Sequence, residues 1–188
     1  MIQNHKIIFI GACGSGNTTF LHRTKTGEFT KKYDPTDLNI VNIDFNTNRG
    51  LITLNCYDIG CQNYYNDVHG VHYNGAEGVV MMFDLTSKLS YQTLINKYEK
   101  VREICGDIPI IICGNKCDSK DRKVKPIDIN FPRQHNLLYF DVSAKTNYNL
   151  EKPYLHIMRK LYDIDLDFNH IPLLPPEVTG VEINVIVK

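Results

Sequence analysis

No apolar run in this chain approaches the roughly 20 residues that a membrane-spanning helix needs, and the apolar part of MIQNHKIIFIG at the start is too short for a secretory leader. A soluble, intracellular protein is therefore expected. An excess of either charge is missing too: Lys plus Arg and Asp plus Glu each number 21, a formal net charge of +0, so no global field draws in nucleic acid or an anionic membrane. The eleven tyrosines show no basic-aromatic alternation of the kind that binds nucleic acid. The six cysteines, Cys13, Cys56, Cys61, Cys105, Cys113 and Cys117, lack the dense spacing of a secreted disulfide framework. Reduced, mostly buried thiols are the expectation. No cysteine lies near Lys188, so prenylation, and with it stable lipid anchoring, is not expected. Internal repeats and long linkers are absent as well.

What is present is enough for one core: 188 residues, 43% hydrophobic and 22% charged, the proportions of a single globular domain. Apolar β-rich runs alternate with helical periodicity. HKIIFI (5 to 10), DLNIVNIDF (37 to 45), LITLNCYD (51 to 58), GVVMMFDLT (78 to 86), IPIIICGN (108 to 115) and LLYFDVS (137 to 143) read as strands. Two of them, GVVMMFDLT and IPIIICGN, are nearly continuous apolar runs, as strands covered on both faces are. NTNRG suits a hairpin turn between the second and third runs.

Helices are expected over TTFLHRTK (18 to 25), over the stripe Tyr91, Leu94, Ile95, Tyr98, Val101 and Cys105, and over NLEKPYLHIMRKLY, with Asn149 as cap and Pro153 in the first turn. Strand and helix in alternation predict an α/β fold, a mostly parallel sheet with helices on both faces and ligands at the C-terminal strand ends. The tail past about Asp163 is proline-rich and then strand-like, which suggests a domain over residues 1–165 and a surface extension over 166–188.

The loops at strand ends carry the chemistry. In GACGSGNTTF (11 to 20), Gly11, Gly14 and Gly16 let successive N–H groups converge on a phosphate at the start of a helix, and Thr18 can offer its hydroxyl to Mg²⁺. A glycine-rich strand-to-helix turn also arises for packing alone. In CGNKCD (113 to 118), Asp118 can accept two parallel hydrogen bonds from the adjacent N–H donors of guanine, with Asn115 and the Lys116 stem shaping the loop. DVSAKT (141 to 146) supplies the Ala144 N–H for the guanine oxygen. Each of these is also a sequence that forms ordinary surface turns. YDIGCQ (57 to 62) places Asp58 where it can hold Mg²⁺ through water and Gln62 where it can orient an attacking water, and YDPT (33 to 36) adds Thr36 as a second hydroxyl for the metal.

The order GxxxxGxTT, a loop Thr, DxxxQ, NKxD and SAK resembles that of the Ras-like small GTPases over nearly the whole chain, and within them the nuclear-transport branch typified by Ran. The stretches that carry the narrower likeness are TTFLHRTKTGEFTKKY, FNTNRG, MMFDLTS, CGNKCDSKDRKVK, NLLYFDVSAKTNYNLEKP and LPPEV. The resemblance implies the P-loop GTPase fold with a six-stranded sheet, GTP or GDP with Mg²⁺ as cofactors, and nucleotide contacts from Ala12, Cys13, Gly14, Ser15, Gly16, Asn17, Thr18 and Thr19. It also implies Phe29 against the base, Thr36 in switch I, switch II over Asp58 to Tyr73 with a Cys61 N–H on the γ-phosphate, and Ser143, Ala144 and Lys145 beside Asn115, Lys116 and Asp118. Metal contacts fall to Thr18, Thr36 and Asp58, and catalysis to Gln62. The implied partners are an exchange factor, a GTPase activator and nuclear-transport receptors, for a monomer shared between nucleus and cytoplasm.

Three departures touch the γ-phosphate end. Asn17 stands where the family has a lysine, Cys61 where it has a glycine with Gly60 one place earlier, and NYYNDVHGVHY replaces a glycine-rich run, keeping Tyr64 and Tyr65 as aromatic bulk. The basic cluster near FPRQHNLLYF is thinned to Arg133 and His135. Guanine binding is then expected to be weaker than usual and intrinsic hydrolysis slow. The alternative is a pseudo-GTPase scaffold that competes for Ran partners without cycling. A zinc site at Cys56, Cys61, His69 and His72 is a third reading, with spacing unlike that of a zinc finger.

Overall fold

The computed structural model describes residues 3–30, 38–61 and 71–169. Six strands form one sheet: β1 (Gln3–Gly11), β2 (Leu38–Thr47), β3 (Gly50–Ile59), β4 (Gly78–Asp84), β5 (Ile110–Asn115) and β6 (Leu138–Asp141), in the order β2-β3-β1-β4-β5-β6. Every pairing is parallel except β2 with β3. The α/β class and the mostly parallel six-stranded sheet are those expected. Strands β4 and β5 are buried at every position, which is why they read as unbroken apolar runs rather than alternating ones.

Helices cover both faces. On one, α1 (Asn17–Thr26) and α4 (Glu151–Tyr162) bring Phe20, Leu21, Tyr154, Ile157 and Met158 onto Ile7, Phe9, Leu54, Val80 and Met82. On the other, α2 (Lys88–Cys105) packs Tyr91, Leu94, Tyr98 and Val101 on Ile8, Ile10, Met81 and Phe83, joined by Phe131 of the short α3 (Phe131–Gln134). The split follows the pleat, since alternate residues of β1 point to opposite faces.

The NTNRG hairpin forms as expected: Thr47 pairs with Gly50, whose φ of 103° only glycine adopts easily, and the Thr47 hydroxyl donates to the Gly50 carbonyl at 2.8 Å. One helix cap differs from its sequence reading. Asn149 lies at φ 55°, one residue before the N-cap, and its Nδ2 donates to Asp141 O at 2.9 Å; α4 starts after Leu150 without a side-chain cap. The short polar side chain that suggested a cap instead closes the turn leading out of β6. Residues 166–169 lie on the β2–β3 hairpin: Leu166 is fully buried and Phe168 stacks on Phe45 with ring centroids 5.1 Å apart.

Between the parallel strands β3 and β4 lies β1, and on its two sides the connections run to opposite faces of the sheet. A crevice opens there at the C-terminal strand ends. The loops of greatest chemical interest, after β1, β3, β5 and β6, all leave from that edge.

Candidate guanine-nucleotide site

A cavity of about 480 Å³ at this edge is lined by the loop after β1, the end of β3, and the loops after β5 and β6, a size suited to a small-molecule ligand. The loop from Gly11 to Gly16 turns through two glycines at positive φ, 74° at Gly14 and 95° at Gly16. A Cβ at Gly16 would lie 2.4 Å from Asn115 Nδ2, while one at Gly14 would meet nothing within 4 Å. The loop is therefore packed beneath and open above. Gly16 gives no side-chain cap to α1, and the first residues of the helix, Asn17, Thr18 and Thr19, line the cavity, so the helix start is available to an anionic group.

The loop is held from below through its carbonyls. Asn115 Nδ2 donates to Ser15 O at 2.9 Å, Lys116 Nζ to Gly14 O at 2.9 Å and Lys97 Nζ to Gly11 O at 2.8 Å. Three of the loop's carbonyls are thus occupied from within the protein, and the Ser15 N–H closes the turn on Ala12 O at 3.1 Å. Lys116 reaches this position at φ 65° and is fixed by Asp84 Oδ2 at 2.7 Å. Lys97 was not apparent from sequence. It is 3% exposed, and burial lowers its pKa to about 8. The available signal was its place within the apolar stripe of α2, three residues after Leu94 and four before Val101.

Asn115 pins together the loops at the other end of the cavity. Its Oδ1 accepts from Lys116 N at 2.8 Å and from Ala144 N at 3.3 Å, while its Nδ2 holds Ser15. One 2%-exposed side chain thereby joins three loops. The Ala144 N–H assigned to the guanine oxygen thus already has a long contact, which leaves room for a shared bond. Asp118 Oδ1 accepts from Ser143 Oγ at 2.6 Å, with Lys145 Nζ 3.9 Å from Oδ2. The carboxylate is aimed at the cavity between Lys116, Ala144 and Lys145, and Phe29 lies on the cavity wall.

At the phosphate end, Thr18 Oγ1 donates to Asp58 Oδ2 at 2.5 Å. Asp58 is 2% exposed; burial raises its pKa, and the Thr18 hydrogen bond partly opposes that. A hydroxyl and a carboxylate, both hard oxygen donors, fit a small divalent cation. Asn17, where the family has a lysine, is 8% exposed, and its buried Oδ1 has no hydrogen-bond partner among the described residues. The position carries a short dipole with no charge. Ala12, Cys13, Ser15, Thr19 and Cys61 complete this end of the lining. Thr36 and Gln62 lie outside the described residues, as do Tyr64, Tyr65, His69 and the LPPEV stretch.

Two of the cysteines overturn the expectation of reduced thiols. Cys13 and Cys61 form a disulfide with Cα atoms 5.2 Å apart. The physical reason is topological: β1 and β3 are parallel neighbours with Phe9 opposite Asp58, so the loops that follow them leave side by side. Cys56, Cys105, Cys113 and Cys117 are free. The bridge removes Cys61 from any zinc site, Cys56 is buried in β3, and no cluster of three or more His, Cys, Asp or Glu suited to a metal occurs among the described residues.

A phosphate-binding loop, a buried hydroxyl-carboxylate pair and an Asn-Lys-Asp loop on a parallel sheet define a P-loop nucleotide-binding domain. The Ras family model matches residues 6–163, and the chain belongs to the Ras family of small GTP-binding proteins, whose members generally bind GTP or GDP with Mg²⁺. The residues here fit that ligand set, with Thr18 and Asp58 for the metal, the loop N–H groups for phosphate and Asp118 for the base.

Proposed function

We propose that the chain is a Ran-like, guanine-nucleotide-dependent switch in nucleocytoplasmic transport, with weakened nucleotide affinity and slow intrinsic GTP hydrolysis. The observation that carries the weakened chemistry is Asn17: at the head of α1 its buried Oδ1 has no partner among the described residues, where the family places a cation on the β- and γ-phosphates. A charge-assisted contact is worth about 1.5 to 3 kcal/mol, so affinity falls by at least about tenfold. Charge developing on the phosphates in the transition state is stabilised less still.

Base selection is supported separately by Asp118, which is oriented by Ser143 and sits beside Lys116. The narrower Ran-like reading rests on the TGEF, TNRG, KDRKVK and TNYN stretches. With it come an exchange factor, a GTPase activator and transport receptors as partners, a monomeric state and a place in nucleus and cytoplasm. Pull-down of purified transport receptors by the GTP-loaded chain tests this reading; no receptor retained above a Ras control sinks it.

The bridge favours a second reading, a pseudo-GTPase scaffold that occupies Ran partners without cycling, because it ties the loop after β1 to the residue that should meet the γ-phosphate. Single-turnover hydrolysis with and without an activating protein separates the two. Phosphate release under either condition supports the switch; none supports the scaffold.

A further inference from the structure

We infer that the Cys13–Cys61 bridge is a reversible redox-modification site that governs how the phosphate end of the cavity responds to a third phosphate. The second half of this inference rests on the guanine-nucleotide reading above.

The bridge stands at a boundary. Cys13 and Cys61 line both the large cavity and a second one of about 240 Å³ beneath α2, into which Ser90, Thr93 and Lys97 also face. Their disulfide is a wall between the two, joining the phosphate loop to the first residue after Gly60. Cys13 is exposed and Cys61 half-buried, so a thiol from solution has an approach to the sulfur. The other cysteines do not compete for it. Cys56 and Cys113 are buried, and burial drives both thiols far above the ordinary range. Burial also raises Cys105, and it lifts Cys117 to about 11. Thiols that stay protonated at neutral pH do not attack a disulfide.

The chemistry is thiol-disulfide exchange with a small thiol or a dithiol protein as reductant. A thiolate attacks one sulfur of the pair, forming a mixed disulfide and releasing the other cysteine as a thiolate that takes up a proton. A second thiolate then attacks the mixed disulfide, forming RS–SR and releasing the remaining cysteine, which is protonated in turn. Two electrons pass to the pair and two protons are taken up. A small disulfide such as oxidised glutathione reverses the sequence.

A ligand shifts a conformational equilibrium only as far as it binds two accessible states differently. GDP and GTP differ in the γ-phosphate, whose neighbour by family resemblance is the Cys61 N–H. While the bridge holds Cys61 to Cys13, that N–H has one position and the third phosphate has little to select. Breaking the bridge releases it.

The test uses the full chain, poised with dithiothreitol or with oxidised glutathione. Alkylation and peptide mapping should find Cys13 and Cys61 blocked after oxidation and labelled after reduction without denaturant, and the cycle should repeat. The ratio of GTP to GDP affinity should rise at least about fivefold on reduction, the lower end of ordinary coupling, and should not respond to redox state in Cys13→Ser or Cys61→Ser. Free thiols at both positions under oxidised glutathione, a bridge that only denaturant exposes, or a wild-type ratio unchanged between states overturns the inference. Guanine nucleotide bound by neither form nor by either variant overturns the guanine reading and the nucleotide response with it; the thiol map then supports or overturns the redox site by itself.

Discussion

Asn115 joins Ser15 and Ala144, two residues far apart in sequence, through the two ends of one amide: Nδ2 donates to Ser15 O at 2.9 Å and Oδ1 accepts from Ala144 N at 3.3 Å. The loop after β1 and the loop after β6 are set relative to each other by that side chain. Asn115→Ala removes these two bonds and the one from Lys116 N, and strands a buried carbonyl, so a loss of about 2 to 3 kcal/mol in urea-unfolding stability is expected, together with weaker binding of every guanine nucleotide. Unchanged stability contradicts the role.

Asn17→Lys restores the family's cation in a chain otherwise intact. GDP affinity should tighten at least about tenfold, and single-turnover hydrolysis should quicken. Equal affinity in the two proteins refutes the assignment of position 17 to the phosphates.

Family resemblance proposes Thr18 and Asp58 for Mg²⁺, and their oxygens meet at 2.5 Å on the cavity wall. Thr18→Ala should therefore weaken GDP binding about tenfold or more in millimolar Mg²⁺ and abolish most of the difference between Mg²⁺ and EDTA. A variant that keeps the wild-type Mg²⁺ dependence places the metal elsewhere.

Lys97 predicts a pH dependence whose sign is fixed by its burial. The ammonium titrates at about 8 in the folded chain against an ordinary 10.5. Between those values the unfolded chain holds the proton and the folded chain has lost it, so this group's contribution to stability rises with pH. Measured as the difference between wild type and Lys97→Met, stability should climb by about 2 to 3 kcal/mol from pH 8 to 10.5, at about 1.36 kcal/mol per unit. A flat difference curve contradicts a buried amine.

Reduction should also loosen the fold. The bridge closes a span of 48 residues, and in the chain-entropy account a loop of that length is worth up to about 4 kcal/mol. Urea unfolding of oxidised and reduced protein should differ by about 2 to 4 kcal/mol; matching curves mean that no bridge is present in the folded state.

Most of the fold was legible because its signals are local. Buried parallel strands give unbroken apolar runs, as in Val79 to Phe83 and Ile110 to Cys113, and the helix on the second face shows its stripe from Tyr91 to Val101. Strand-end loops then bring Thr18 to Asp58 and Asp118 to Ser143, although the partners are separated by many residues. What stayed hidden depends on neighbours in space. Asn149 has the side chain of a cap but takes a left-handed backbone and bonds to β6. Lys97 drew no reading from the sequence, because its partner, the Gly11 carbonyl, lies 86 residues away on another element. Cys13 and Cys61 looked like scattered thiols until β1 and β3 were known to be adjacent.

We propose guanine recognition in a site that carries Asn17 where the family has a lysine. Titrating the purified chain with fluorescently labelled GDP and labelled ATP in Mg²⁺ measures this directly. Saturable GDP binding that is at least about tenfold weaker than that of Asn17→Lys, with ATP weaker still by a further factor of ten or more, is the predicted result. Equal affinity for the two nucleotides, or binding of neither by the wild type and by Asn17→Lys, contradicts guanine recognition by this site.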